Sequence, residues 1–188
     1  LYEFTLPVGS AGTYWYHPHP HEYTAEQVFR GMAGLLIVRS RTDPVPAAIE
    51  ERLLVISDLR LAADGAIPAN TAMDWQNGRE GNYLLVNGQY QPVMMINPGQ
   101  SQRWRILNAT NARYRRLALT GHTMTLLGTD GGLLRAPVPA LHEILLLEKG
   151  DQVVGRFARD DRRVRKARVR HDRHVRKDAH ELAHQRLV

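Results

Sequence analysis

The chain has no cysteine among its 188 residues, which excludes disulfides and thiolate metal ligands within it and leaves the redox compartment open on composition. It also lacks any apolar run near the roughly 18 to 20 residues that a spanning helix needs, so no helical membrane span is predicted and no membrane partner is expected. No initiator methionine and no basic-then-apolar leader opens it; Leu1 falls inside what reads as a strand, and the expectation is that N-terminal sequence is missing. The net charge of +6 is uneven, for residues 1–157 carry 14 Lys+Arg and 14 Asp+Glu while residues 158–188 carry 11 and 5. The basic character belongs to the last stretch alone. The length suits one domain or a little more, enough to bury a sizeable core.

What the sequence does have is Gly12-Thr13-Tyr14-Trp15-Tyr16-His17-Pro18-His19-Pro20-His21, with three histidines at alternate positions after strand-forming aromatics. In an extended chain the side chains alternate between faces at about 3.3–3.4 Å per residue, which puts His17 and His19 on one face roughly 6.7 Å apart. Neutral imidazole binds copper, zinc, iron and nickel, and paired ions in catalytic sites sit about 3.5–4 Å apart, so this spacing suits two neighbouring ions. Pro18 and Pro20 fix φ and remove donors, which holds the segment extended or at a sheet edge. A solvated histidine cluster with adventitious metal affinity is the competing reading, and spacing alone leaves both open. Thr24-Ala25-Glu26-Gln27 reads as a capping box opening a short helix that Gly31 ends, and Gly34-Leu35-Leu36-Ile37-Val38 reads as a buried strand.

Arg41-Thr42-Asp43-Pro44-Val45-Pro46 is a polar, proline-containing connector of the kind at which domain boundaries fall. Residues 53–57 read as a buried strand, Asp64-Gly65 as a turn and residues 68–82 as a surface loop. Asn87-Gly88 predicts a type I′ hairpin between residues 83–86 and 90–96, with Pro92 confining the second strand to an edge. Residues 102–107 alternate, Trp104 and Ile106 on one face and Arg103, Arg105 and Leu107 on the other. Residues 113–119, 123–127 and 144–147 continue a series of short strands that indicates an all-β sandwich or barrel. Trp15 and Trp104 are assigned to the core, Trp75 to the loop, covering a domain interface, and Met32, Met73, Met94, Met95 and Met124 to gaps in the core. His122 and His142 are read as surface or hydrogen-bonded structural residues rather than ligands, and the Asn108-Ala109-Thr110 sequon as part of a strand.

The histidine stretch, followed by Glu26-Gln27-Val28-Phe29-Arg30-Gly31-Met32-Ala33-Gly34-Leu35-Leu36-Ile37-Val38, resembles the second histidine motif of the multicopper oxidases. The likeness is greatest to the periplasmic bacterial branch of cuprous oxidases and laccases. It continues through Ile56-Ser57-Asp58-Leu59-Arg60, Ala63-Asp64-Gly65, Leu85-Val86-Asn87-Gly88, residues 104–113 and residues 129–134, and so covers roughly residues 1–155. The resemblance implies a cupredoxin-like Greek-key β-sandwich: residues 1–40 would end one cupredoxin domain, 41–50 link, and 51–157 form a second, copper-free one. Residues 158–188 depart from the family and read as an irregular basic tail, either disordered or partly helical, or a frame-shifted translation of the expected strand. The acids among its bases weaken a nucleic-acid role, which is not expected.

The resemblance also implies a fragment of a copper-dependent oxidase that couples one-electron oxidation of a reductant to four-electron reduction of dioxygen to water. His17 and His19 would each bind one copper of the type 3 pair, with His21 a neighbour rather than a ligand. The family's upstream H-x-H and its downstream histidine–cysteine–histidine cluster, which supply type 1 and type 2 ligands, are not in these residues, so the isolated chain is expected to be inactive. Dioxygen and a small reductant, a phenol or a metal ion, would be the parent's partners, and its location periplasmic or secreted. Two alternatives stand beside this: a non-catalytic cupredoxin-type periplasmic scaffold, and a polyanion-binding protein acting through the tail.

Overall fold

The computed structural model describes residues 1, 3–119, 121–140, 143–146, 151–156 and 168–171, with side chains up to residue 139. Among the described residues, regular structure is mostly strand, with two short helices. In order it forms β1 (Gly12–Tyr16), α1 (Thr24–Phe29), β2 (Gly34–Val38), β3 (Glu50–Leu59), α2 (Ala72–Asn77), β4 (Tyr83–Val86), β5 (Gln89–Tyr90) and β6 (Ser101–Asn108). Then follow β7 (Arg115–Ala118), β8 (Thr123–Gly128), β9 (Leu133–Ala140), β10 (Glu143–Leu146), β11 (Asp151–Arg156) and β12 (Arg168–His171).

Three sheets organise these strands: β1-β2, the three-stranded β10-β7-β12, and the seven-stranded β5-β4-β3-β6-β11-β8-β9. Neighbours are antiparallel except β3 and β6, which run parallel with Leu54 opposite Ile106. Alternation along the large sheet sends Leu54, Ile56, Trp104, Ile106, Met124 and Leu126 to one side, where Leu117 of β7 and Leu119 close the core of an all-β sandwich. Asn87 (φ 51) and Gly88 (φ 75) both adopt the left-handed conformation of a type I′ turn, joining β4 to β5.

Several expectations are corrected. The 68–82 stretch is not all loop: Thr71 accepts from the Asp74 backbone N–H and Asp74 returns the bond, a capping box that starts α2. At α1 the expected box is absent, because the turn through Glu22 (φ 67) makes Tyr23 the N-cap and the Thr24 hydroxyl donates to the Pro20 carbonyl at 2.9 Å. The second hairpin strand stops at Tyr90 instead of reaching residue 96, since Gln91 (φ 49) turns the chain before Pro92.

β9 escaped the sequence reading because it holds Pro137 and Pro139. It is the last strand of the sheet among the described residues, paired there on one side, where missing donors are tolerated. Arg168–His171, expected within an irregular tail, forms a strand along β7; the rest of the 158–188 tail and His142 lie outside the described residues. Met32, Met73 and Met95 are exposed, while Met124 is in the core. Asn108 and Thr110, of the sequon, are buried, with the Asn108 amide donating to the Arg113 carbonyl.

Candidate metal centre

The histidines follow directly from β1, whose five residues pair with β2 from Gly12 opposite Val38 to Tyr16 opposite Gly34. Glycine at 34 leaves room for the Tyr16 ring, which a Cβ there would meet at 2.5 Å unless this exposed side chain moved aside. Beyond Tyr16 the strand ends, and the next backbone donors are interrupted by Pro18 and Pro20. The far end of β1 is tied to the larger unit: Thr13 exchanges both backbone hydrogen bonds with Gly131, at 2.7 and 3.2 Å. A Cβ at Gly12 would meet the Gly131 carbonyl, its carbon at 2.6 Å, so this approach also needs glycine.

Along the end of β1 three rings stand in line. Trp15 stacks on His17 with centroids 3.7 Å apart and planes at 14°, and His17 faces His19 at 5.2 Å and 39°. The shared face expected of residues 17 and 19 is thus what the structure brings together. Trp15, expected in the core, is only partly buried and spends its face on this imidazole, whereas Trp104 is 2% exposed in the core. The His17 Nδ1 lies 2.9 Å from the Pro18 carbonyl, which can only accept, so this contact favours the tautomer with the proton on Nδ1 and, in the neutral ring, the lone pair on Nε2. His21 is exposed in the turn that precedes α1.

This chemistry fits one side of a copper site. Two imidazoles are suitable donors, but they leave a copper ion's coordination incomplete, and among the described residues no group of three or more His, Cys, Asp or Glu is placed to hold a metal.

Beside His17 a cavity of about 400 Å³ opens between α1 and the α2 segment, bordered by Trp15, Glu26, Asn70, Trp75 and Arg79 among others. Trp75, 69% exposed, projects from α2. The α2 segment is held firmly. Arg60 forks onto both Asp74 oxygens, at 3.0 and 2.5 Å, and these bonds, opposed by burial and aided by Thr71, hold the carboxyl far below the usual range. Arg79 is buried with its guanidinium 4.2 Å over the Phe29 ring, donating to Asn70 at 2.7 Å and to the Pro68 carbonyl; burial pushes its pKa down. Asn111, just after β6, donates to the Ala25 carbonyl of α1 at 2.6 Å.

The face of β6 opposite the core is covered by charge rather than hydrocarbon. Arg105 donates to Glu51 at 2.7 Å and to the Thr13 hydroxyl at 2.6 Å, and Arg103 donates to Asp43 at 2.5 Å. Arg39, just after β2, takes the other Glu51 oxygen at 2.7 Å. Burial alone would raise the pKa values of Asp43 and Glu51, but the Val45 backbone N–H and Arg103 on Asp43, and Arg105 and Arg39 on Glu51, prevail and lower both. Sequence alternation identified this arginine face; it gave no sign that Thr13 and Glu51, far off in the chain, would cover it.

Comparison with known proteins follows the same residues. Two family models described as multicopper oxidase match residues 1–43 and 56–139. The chain is 34% identical over 165 residues to the cell division protein FtsP of Sodalis glossinidius, covering 79% of this chain and 34% of that protein. It is 30% identical over 169 residues to the multicopper oxidase LPR1 homolog 1 of Oryza sativa subsp. japonica, covering 82% of this chain and 29% of the relative. A solved multicopper oxidase from Campylobacter jejuni, described as a metallo-oxidase, superposes with a TM-score of 0.70 at 42% identity, covering 82% of this chain and 31% of that one. The chain thus spans about a third of the length of the proteins it matches.

Proposed function

The chain belongs to the multicopper oxidase family, and on that premise we propose that it is part of a copper-dependent oxidase of the laccase or cuprous-oxidase type. The reaction is one-electron oxidation of a small reductant, a phenol or a metal ion, coupled to four-electron reduction of dioxygen to water, in a periplasmic or secreted protein. The Trp15–His17–His19 ring line carries this reading, since it presents two imidazoles side by side with His17 Nε2 available as donor. His17 and His19 would each hold one copper of a type 3 pair, and His21 none. Copper, when bound, supplies the one-electron redox chemistry; the chain's own residues bind, orient the donors and set the imidazole tautomer. With no cysteine to supply a type 1 thiolate, the chain alone is expected to be inactive.

A second reading is favoured by one observation: several relatives at 34–37% identity are named cell division proteins, not oxidases. In that reading the sandwich acts as a non-catalytic scaffold. Among the described residues no helix is long and apolar enough to cross a membrane. Titration of the chain with Cu(II) by calorimetry separates the two, with His17→Ala, His19→Ala and His21→Ala beside it. The oxidase reading expects weak binding, lost on changing 17 or 19 and nearly unchanged on changing 21. Copper binding indifferent to His17 and His19 would favour the scaffold.

A further inference from the structure

A histidine at the end of a two-stranded sheet has little to hold it. Free rotation about χ1 and χ2 would let the ring take several orientations, and ordering a side chain at a binding site costs free energy at the moment of binding. In this chain two contacts on different sides of the ring remove that freedom before any ligand arrives. The indole of Trp15 lies flat against the His17 imidazole at 3.7 Å and 14°, which fixes the ring plane. The Pro18 carbonyl lies 2.9 Å from Nδ1, a contact that restrains rotation within that plane and favours the tautomer with Nδ1 protonated. Trp15 is itself held, since its backbone pairs with Leu35 of β2.

We propose that Trp15 is a positioning residue for His17: its indole serves as a platform that keeps the imidazole plane fixed with Nε2 turned out as the donor. The effect passes along the line, because His19 faces His17 at 5.2 Å and so meets a ring that is already ordered. This explains why a large aromatic sits at a strand position that is only partly buried, with the same-face neighbour two residues on being a histidine. Trp104, the core tryptophan, instead spends its indole N–H on Gln102 at 3.0 Å within the sandwich. The proposal rests on His17 being a copper ligand.

The test uses the full chain with Trp15→Phe, Trp15→Ala, Trp15→Leu and His17→Ala. Histidine side-chain NMR in the absence of metal should show the His17 ring protons shifted upfield by the stacked indole and the Nδ1–H tautomer dominant. Both signatures should persist in part with phenylalanine and vanish with alanine and leucine. Cu(II) affinity by calorimetry should fall about three- to tenfold in Trp15→Ala, the cost of ordering one side chain, and recover most of the way in Trp15→Phe. Trp15→Leu keeps bulk without an aromatic face, so it should bind as poorly as Trp15→Ala and serves as the probe if the alanine variant does not fold. If affinity in the alanine and leucine variants equals that of the native chain while His17→Ala still weakens it, the positioning role is overturned and the copper reading survives. If His17→Ala has no effect either, both fall.

Discussion

Replacing Arg105 by methionine tests whether the polar cover on β6 fastens the histidine hairpin to the sandwich. The Arg105 side chain is 3% exposed and Glu51 19%, and Thr13 is fully buried. Removing one partner of a buried ion pair costs about 3–5 kcal/mol when the other charge is left alone. Here Glu51 keeps Arg39 at 2.7 Å, so the lower part of that range applies. The stranded Thr13 hydroxyl adds about 1–3 kcal/mol, and methionine returns part of the lost packing. A net loss of about 3–5 kcal/mol is expected, measured by urea denaturation at neutral pH.

The acid limb supplies an independent check. Glu51 has a folded pKa below its ordinary 4.5, so its contribution is complete above that value and is lost as pH falls through the folded pKa. Arg105→Met should flatten that decline. A variant within about 0.5 kcal/mol of the native chain, with an unchanged acid limb, would refute the clamp.

Gly81→Ala should cost about 1–3 kcal/mol of stability and so lower the urea midpoint, because the new Cβ would lie 2.7 Å from the carbonyl carbon and oxygen of Leu59, which as backbone cannot swing aside. An unchanged midpoint would show that this approach relaxes at no cost. Thr71→Ala removes one half of the α2 capping box and should cost about 1 kcal/mol, with amide exchange accelerated over 72–77 rather than across the sandwich. Uniform acceleration would place the effect elsewhere.

The sandwich was legible where the pattern was local. Alternation at 102–107 placed Trp104 and Ile106 together, and Asn87-Gly88 marked a turn whose two residues do adopt positive φ. α2 was not legible, because none of its residues is buried and so no apolar period betrays it; the sign was Thr71-x-x-Asp74, a capping box built with aspartate. The shared face of His17 and His19 followed from strand period two. Trp15 lies on that same face by the same rule, yet its bulk argued for the core, and only the geometry shows an indole laid on the neighbouring imidazole. The cover over Arg103 and Arg105 could not be read at all, since its carboxylates and hydroxyl come from segments remote in sequence.

The bridge between Thr13 and Gly131 has a consequence for the order of folding. It joins the first strand to a turn in the far half of the chain, so its closure is a long-range step that becomes less costly once the structure between has formed. The hairpin of β1 and β2 can pair early, being local, but it gains a fixed place only after β3, β6 and β8 have assembled and brought Gly131 within reach. Until then the two imidazoles ride on an untethered ribbon. Metal offered to the finished chain therefore meets the histidines at a defined position, whereas metal present from the start of refolding meets them on a loose strand and competes with docking of the ribbon.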